Sequence, residues 1–316
     1  MDTVKASVLM ITYGHEEYIE AAINGVLMQD CNFSFELIVA DDNSPDQTML
    51  VVDKLKSQHP KGDIIKYTKH QKNKGPNSNF LWALRQCKGK YISICEGDDY
   101  WTDSLKLQKQ VEFLETNADY GLVHSDVNHF YQNTGKLVKA YNKKNNIKIP
   151  NGNILTDLYY PGHIIKTMTT CFRKDILQKH YLNDPVIMTK DWKSIDLSMW
   201  LVFAHHTKIK YMDEVFVTYR LLPESMSRSK DPRKTYDFHT KINDILCYFS
   251  DRYNANDEVK HSIKTRRIKS ELFDGISMND KALVLKSYKS LKSKGELLNL
   301  KEKIKYGIFR IRTIIK

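Results

Sequence analysis

The sequence predicts an α/β fold with a mainly parallel central sheet and a helical appendage at its end. In the first two-thirds of the chain, short β-branched or aliphatic runs alternate with amphipathic stretches, as strands alternate with crossover helices. Strand signals end near residue 226, and the remainder predicts two or three helices. The chain has 316 residues, whereas single cores stop growing near ~250–300 residues. We therefore expect a main domain over residues 1–225 and a helical region over residues 226–316.

The elements of the main domain follow from the spacing of their apolar residues. A largely apolar stretch at residues 6–11 predicts a buried first strand, and apolar side chains three and four residues apart across residues 17–27 predict the helix after it. Further strands are predicted at residues 35–40, 64–68, 90–95, 120–127, 169–172 and 209–220. Further helices are predicted at residues 48–58, 79–86, 105–114 with Ser104 as N-cap, and 196–206. The Lys- and Asn-rich residues 142–150 predict a loop.

Composition excludes several classes of protein. With 41% hydrophobic residues, the chain is neither disordered nor a small disulfide scaffold. Its five cysteines form no Cys-x-x-Cys pair, so we expect reduced, mostly buried thiols rather than disulfides or a zinc site. No apolar run approaches the ~18–20 residues of a membrane-spanning helix. The N-terminus lacks the features of a secretory signal, and we expect a cytoplasmic protein.

The basic charge is concentrated at the end of the chain. The formal net charge is +11 overall, and residues 226–316 contain 22 Lys and Arg against 11 Asp and Glu. Residues 1–225 are therefore neutral. This asymmetry indicates a neutral body with a basic tail suited to an anionic surface, either phospholipid or nucleic acid.

Two predicted strands end in acidic residues. Asp-Asp-Asn-Ser-Pro at residues 41–45 follows the second strand, and Glu-Gly-Asp-Asp at residues 96–99 follows the strand over residues 90–95. Open α/β sheets bind ligands at the carboxyl ends of strands, so we expect both clusters on one rim. The second cluster offers hard oxygen ligands for Mg²⁺ or Mn²⁺, with a solvated acidic turn as the alternative. The first can accept a hydrogen bond from a base or ribose, or simply form a turn.

Three stretches of the sequence resemble the family 2 glycosyltransferases of GT-A fold. They are Ser-Val-Leu-Met-Ile-Thr-Tyr at residues 7–13, the second strand with its acidic end at residues 36–44, and Gly-Lys-Tyr-Ile-Ser-Ile-Cys-Glu-Gly-Asp-Asp-Tyr-Trp at residues 89–101. Residues 190–200 and 211–220 resemble the acceptor half of the same family. The resemblance implies a catalytic GT-A domain in the first 225 residues, with a nucleotide-binding half up to residue 100 and an acceptor half after it.

The resemblance implies a role for individual positions around the nucleotide and the metal. Six positions are implied to bind the nucleotide, namely Thr12, Tyr13, Asp42, Gly75, Asn79 and Glu96. Among them, Asp42 is implied to accept from the uracil ring N–H, with a turn cap as its alternative role. Gly75 and Asn79 resemble a loop that closes over the nucleotide. Asp98 is implied as the metal ligand, with Asp99 as an alternative ligand.

Asp196 is similar to the catalytic base of the family, with Asp191 as its rival. An inverting transfer needs one carboxylate within ~2.6–3.2 Å of the attacking hydroxyl. The departing diphosphate needs no acid, because a divalent cation neutralises its developing charge. The alternative role of Asp196 is to cap the helix over residues 196–206. Asp191, Trp192 and Trp101 are the expected acceptor-binding residues, since aromatic rings beside acidic motifs suit sugar faces. For the two tryptophans, burial in the core is the alternative.

The tail over residues 297–316 is amphipathic. On a helical wheel one stripe collects Leu297, Leu300, Ile304, Ile308, Ile311 and Ile315, while basic residues lie beside or opposite it. Such a layout is typical of an interfacial helix on anionic lipid. A helix packed on the main domain with a solvated basic face is the alternative.

We therefore expect a metal-dependent inverting glycosyltransferase that uses Mn²⁺ or Mg²⁺. The expected donor is a nucleotide-diphosphate sugar, namely a UDP-sugar, and the expected acceptor is a glycan or lipid-linked oligosaccharide at the inner face of the membrane. The alternatives are a non-catalytic sugar-nucleotide-binding protein and a nucleotidyltransferase. The acidic residues 14–17 after the first strand disfavour the second, which needs a Gly-rich basic loop. Nucleic acid is disfavoured because the acidic strand ends repel phosphate.

Overall fold

The computed structural model describes residues 4–160, 162, 165–190, 192, 194–223 and 229–314. The chain divides into two compact units. The first comprises Met1–Leu158, Gly162–Asp191 and Ile195–Leu222, and the second comprises Tyr159–Pro161, Trp192–Ser194 and Pro223–Lys316.

Among the described residues, the first unit has one sheet of nine strands. They are β1 (Ala6–Thr12), β2 (Phe35–Asp41), β3 (Ile65–Lys69), β4 (Tyr91–Ile94), β5 (Tyr100–Trp101), β6 (Tyr120–Tyr131), β7 (Lys136–Val138), β8 (Cys171–Arg173) and β9 (Lys208–Leu221). The order is β3-β2-β1-β4-β8-β6-β9-β5, with β7 paired to β6. The first four strands in this order run parallel, as predicted. The rest of the sheet is mixed, because only the β6–β9 pair there is parallel.

The helices of the first unit are α1 (Ile19–Leu27), α2 (Thr48–Gln58), α3 (Pro76–Gln86), α4 (Lys106–Thr116), α5 (Tyr141–Lys144), α6 (Leu155–Leu158), α7 (Lys174–Leu177), α8 (Pro185–Thr189) and α9 (Ile195–His206). Those of the second unit are α10 (Pro232–Arg252), α11 (Asp257–Met278), α12 (Lys281–Ser293) and α13 (Leu300–Ile314). No helix among the described residues is long and apolar enough to span a membrane.

The core of the first unit lies against the central strand β1, which is buried along nearly its whole length. Val8 and Met10 share one face of the sheet and pack in a cluster with Ile23 and Val26 of α1. Leu9 points to the other face and is also fully buried. This burial on both faces explains the largely apolar run that predicted the strand. All five cysteines are free thiols in the structure, and three of them are buried.

Several boundaries differ from those predicted. Helix α3 begins at Pro76 rather than at residue 79, because proline suits the first helical position and Gly75 before it adopts φ +82°. Ser104 is not the N-cap of α4, which begins at Lys106 without a side-chain cap. The predicted loop at residues 142–150 contains part of a short helix, α5. The second unit has four helices in its described part, not two or three.

The second unit has its own apolar cluster. It contains Leu272 of α11, Val284 and Leu291 of α12, and Tyr306 and Phe309 of α13. The Tyr306 ring stacks on Tyr288 with a centroid distance of 4.2 Å. Helix α13 is therefore held within this unit by one of its faces.

Candidate functional site

The two acidic clusters lie on one rim, as predicted. Strands β2 and β4 flank β1 and run parallel to it, so their carboxyl ends fall at the same edge of the sheet. The backbone N–H of Asp42 donates to the carbonyl oxygen of Thr12 at 2.9 Å. On the other side, the N–H of Gly97 donates to the carbonyl oxygen of Ile11 at 3.0 Å. The last residues of β1 therefore bind both acidic loops.

The adjacent aspartates of the first cluster make different contacts. Asp41 forms the turn, because its Oδ1 accepts from the N–H of Ser44 at 2.6 Å and its Oδ2 accepts from the Tyr67 hydroxyl at 2.7 Å. Asp42 is also buried, but its Oδ1 accepts from the N–H of Lys74 at 2.7 Å. The turn cap considered for Asp42 thus belongs to its neighbour, and Asp42 is joined to the segment before α3.

Asn79 supports this rim from beneath. Its Nδ2 donates to the carbonyl oxygen of Ala40 at 2.9 Å, and its Oδ1 lies 2.9 Å from His70 Nε2. Both ends of this buried amide are engaged by protein groups, which secures the end of β2. Gly75 lies directly before α3, where the backbone adopts a positive φ that glycine tolerates best.

The loop after β4 approaches β1 so closely that it requires glycine. A Cβ atom at Gly97 would lie 2.8 Å from Thr12 Oγ1 and 2.9 Å from His15 Nδ1, closer than real Cβ contacts. Thr12 Oγ1 and His15 Nδ1 are themselves 3.2 Å apart. Tyr13, between them in the chain, is 49% exposed. No role was predicted for His15, although a histidine three residues after a buried strand is a usable signal.

Three carboxyl groups lie close together in the loop after β4. Glu96 is half-buried as a residue, but its Oε2 is shielded from solvent and has no hydrogen-bond partner among the described residues. Burial, together with the charges of Asp98 and Asp196, raises the pKa of Glu96 to about 8. Burial also raises the pKa of Asp99, with Asp98 and Glu96 adding to the effect. The loop therefore favours binding of positive charge.

Arg220, at the end of β9, holds this loop. Its backbone N–H donates to Asp99 Oδ1 at 2.7 Å, and its Nε donates to the carbonyl oxygen of Asp98 at 2.8 Å. A further hydrogen bond joins its guanidinium to Gln132 Oε1 at 2.7 Å. The guanidinium also lies over the Tyr18 ring, 4.8 Å from its centroid. Arg220 lies in the stretch that resembles the acceptor half of the family, but no role was predicted for it. Nothing in the neighbouring sequence links it to a loop more than a hundred residues earlier.

The carboxylates of this loop fit a divalent cation that takes its remaining ligands from phosphate groups. No three His, Cys, Asp or Glu side chains form a preformed metal cage in the part of the chain that the structure describes. Mg²⁺ is commonly bound by one or two carboxylates together with substrate phosphates, which needs no such cage. The shielded Glu96 Oε2, without a protein donor among the described residues, is the observation that favours a cation here.

Asp196 lies in the first turn of α9 and is half-buried. Its Oδ2 accepts from the Thr167 hydroxyl at 3.2 Å. Its charge contributes to the raised pKa of Glu96, so the two carboxylates are electrostatically coupled. The N-cap role considered for Asp196 is wrong, because α9 begins one residue earlier, at Ile195.

The comparison with known proteins decides the family. Residues 7–180 match Glycosyl transferase family 2. The chain belongs to this family. Among solved structures, S. aureus TarS 1–349 in complex with UDP-GlcNAc superposes with a TM-score of 0.56 at 17% identity, covering 94% of this chain and 93% of that one. The mannosyltransferase PcManGT from Pyrobaculum calidifontis, in complex with GDP-Man and Mn²⁺, gives 0.57 at 15% identity, covering 98% and 80%. These likenesses confirm the GT-A fold.

Sequence relatives of this family 2 chain include proteins with and without a known activity. An uncharacterized protein of Mycobacterium tuberculosis is 36% identical over 130 residues, which are 41% of this chain and 37% of that protein. The match thus spans little more than a third of that relative. A GalNAc(5)-diNAcBac-PP-undecaprenol beta-1,3-glucosyltransferase of Campylobacter jejuni is 26% identical over 246 residues, 77% of this chain and 74% of that protein.

The residues expected to bind acceptor in this family 2 chain are placed differently. Trp101 is 2% exposed, and Lys106 Nζ lies 4.0 Å from its ring centroid, so it belongs to the core. Trp192 belongs to the second unit, where its ring lies 5.3 Å from that of Tyr248. Both placements favour packing in a core over contact with an acceptor. Asp191 lies outside the described residues.

Proposed function

We propose that this chain is an inverting glycosyltransferase that moves a hexosyl or hexosaminyl group from a UDP-sugar to a hydroxyl of a glycan or lipid-linked oligosaccharide. The observation that carries the proposal is the meeting of two acidic loops beside the end of β1, where Glu96 Oε2 is shielded, has no hydrogen-bond partner within the described part of the chain, and is coupled to Asp196. The relatives support the substrate class, since one is named for an undecaprenol-linked acceptor and one was solved with UDP-GlcNAc.

The nucleotide binds at the end of β1 in this proposal. Thr12 and Tyr13 line the base and ribose, and Asp42 accepts from the ring N–H of uracil. The contact from Lys74 fixes the Asp42 carboxylate, so it is oriented before the nucleotide arrives. Asn79 acts by supporting the end of β2, and Gly75 gives the covering loop its conformation. Glu96 lies nearer the ribose.

Asp98 would hold Mn²⁺ or Mg²⁺, with Asp99 as the alternative ligand. When bound, the ion supplies positive charge that stabilises the departing diphosphate. The chain contributes the orientation of the loop. Arg220 binds the backbone carbonyl oxygen of Asp98 and the carboxylate of Asp99. These contacts fix the backbone at Asp98 and leave its side-chain carboxylate to the ion.

Asp196 is the general base. The acceptor hydroxyl oxygen forms a bond to the anomeric carbon as the bond from that carbon to the diphosphate oxygen breaks, and the hydroxyl proton passes to the Asp196 carboxylate. Attack from the face opposite the leaving group inverts the anomeric centre. Thr167 holds the carboxylate, and the amino-terminal turn of α9 favours its negative charge. Asp191 is the rival base.

The lipid-linked acceptor places the enzyme at the inner face of the membrane, in the assembly of surface polysaccharide. In this proposal residues 1–225 are the catalytic domain, and residues 226–316 are a basic helical region without a catalytic residue. Nucleic acid is not a partner.

The proposal is tested by measuring UDP release from UDP-sugars in the presence of Mn²⁺ and a polyprenyl-diphosphate-linked oligosaccharide. We expect Asp196→Asn to abolish turnover and to keep the affinity for UDP, because the base does not bind the nucleotide. Asp175→Asn, at an exposed carboxylate of α7, is the matched control. Full turnover in Asp196→Asn would assign the base to another residue. Binding of UDP-sugar by the wild-type chain without turnover on any acceptor would instead identify a sugar-nucleotide-binding protein.

A further inference from the structure

Helix α13 carries two apolar faces on opposite sides. One face, with Tyr306 and Phe309, is buried in the cluster of the second unit. The other is a row of large aliphatic side chains, each about half exposed or more, which we call the α13 stripe: Leu300 (74%), Ile304 (54%), Ile308 (46%) and Ile311 (59%). At 3.6 residues per turn these four side chains fall within an arc of about 80°. Leu297, just before the helix, is 78% exposed and extends the row.

The sequence predicted this stripe but left open whether it packs or meets lipid. In the structure the packed face is a different one, so the stripe remains uncovered in the part of the chain that the structure describes. Five neighbouring exposed aliphatic side chains are unusual, because monomeric soluble proteins rarely expose contiguous apolar patches of this kind. Ile315, which the sequence also assigned to the stripe, lies outside the described residues.

Cations flank the stripe on both sides. On the helical wheel Lys301 and Lys305 lie at one edge, and Lys303 and Arg310 lie at the other. The acidic residue Glu302 lies on the packed side instead. Its Oε2 is 3.3 Å from Lys269 Nζ, so its charge is paired within the second unit. The exposed side of α13 therefore combines an apolar centre with positive edges.

We propose that the α13 stripe docks on the surface of an anionic lipid bilayer. An interfacial helix places its apolar face at the boundary of the acyl chains while its basic residues contact anionic headgroups, and both components are present here. The excess of 22 Lys and Arg over 11 Asp and Glu in residues 226–316 adds attraction over a longer range. This inference does not depend on the proposed transfer reaction.

Other occupants fit these observations less well. A second copy of the chain docked stripe to stripe would bring the cationic edges of both helices together, which is unfavourable. A nucleic acid would use the cations but would leave the aliphatic row in water. A bilayer interface satisfies both parts of the surface at once.

The test is flotation of the full chain with vesicles of phosphatidylcholine alone or mixed with phosphatidylglycerol, without donor or acceptor. We expect the wild type to float with the anionic vesicles, and Ile304→Gln/Ile308→Gln to lower its partition coefficient by about tenfold or more. Leu50→Gln/Val186→Gln removes two comparably exposed aliphatic side chains from the first unit and is the matched control. The control should float as the wild type does.

A second pair of variants tests the charge. Lys301→Gln/Lys303→Gln removes one cation from each edge and should weaken flotation with anionic vesicles, more so at low salt. Lys54→Gln/Lys56→Gln, at exposed lysines of α2, is its control. The proposal is overturned if the wild type does not float, or if the stripe variant floats equally well. A stripe variant that changes only the sedimentation of the free protein would show that the stripe joins copies of the chain. Because no nucleotide is present, failure here leaves the proposed transfer untouched.

Discussion

The Nε of Arg220 donates a hydrogen bond to the backbone carbonyl oxygen of Asp98 at 2.8 Å. This contact joins the end of β9 to the acidic loop after β4, and the N–H of Arg220 adds a second bond to Asp99. The loop is thus fixed by a strand from the other half of the same sheet. The orientation of Asp98 therefore depends on residues far from it in sequence.

Replacing Arg220 should impair metal-dependent nucleotide binding without unfolding the chain. In Arg220→Lys the ammonium cannot reproduce the planar contacts to Asp98 and Gln132, so the loop loses its orientation. Loss of such supporting contacts costs about 10–100-fold in metal affinity. Calorimetric titration of Mn²⁺ in the presence of UDP measures the effect. Arg85→Lys, at an exposed position of α3, is the control. Equal affinities for Mn²⁺ in the two variants would show that Arg220 does not support the metal-binding loop.

Two glycine substitutions should act in opposite directions. Gly97→Ala places a Cβ atom 2.8 Å from Thr12 Oγ1, and the displacement that follows should destabilise the first unit by about 1–3 kcal/mol. Gly307→Ala in α13 meets no atom within 4 Å and should stabilise its helix by about 0.5–1 kcal/mol. Differential scanning calorimetry distinguishes them. Equal stability of Gly97→Ala and wild type would contradict the close approach of the loop to β1.

Lys106 should make stability rise with pH just above neutrality. Its Nζ is buried and donates to Ser93 Oγ and Gln110 Oε1, and burial lowers its pKa to about 7 from 10.5. Above pH 7 the unfolded chain therefore binds the proton that the folded chain has released. The free energy of unfolding should rise by about 1 kcal/mol between pH 7.5 and 8.5 from this group.

Denaturant titrations of wild type and Lys106→Met at both pH values measure this contribution. The comparison uses the change with pH rather than the absolute stability, because the variant also loses hydrogen bonds. Glu96, with its pKa of about 8, and buried cysteines such as Cys171 contribute the opposite slope in both proteins, so only the difference between the two proteins is assigned to Lys106. The same rise with pH in Lys106→Met would exclude Lys106 as its source.

The sequence predicted the parallel half of the fold well because its strands are buried on both faces. The runs of β1, β2 and β4 are mostly apolar and are followed by polar or acidic residues, so the sequence predicts both the strands and the rim. Helix α2 has the predicted bounds. The pairing of β6 with β9 is not encoded locally, and neither is the contact from Arg220 to a loop 122 positions away.

The site and the tail were predicted less completely. Tryptophans beside acidic motifs are equally compatible with core and groove, and Trp101 lies in the core because Gly25 of α1 packs against its backbone. In the tail the sequence left open whether the aliphatic row meets lipid or packs on the main domain, and the structure leaves that row exposed. Tyr306 and Phe309 form the packed face instead, and two aromatic residues among lysines give only a weak periodic signal.

Titration calorimetry of UDP with and without Mn²⁺, on wild type and Asp98→Asn, tests the central claim most directly. The account predicts that Mn²⁺ tightens UDP binding to the wild type by about tenfold or more, equivalent to about 1.4 kcal/mol, and has no effect on Asp98→Asn. GDP, dTDP and CMP, titrated in parallel, should bind more weakly than UDP. Identical affinities with and without the ion in the wild type, or an undiminished effect of Mn²⁺ in Asp98→Asn, would contradict it.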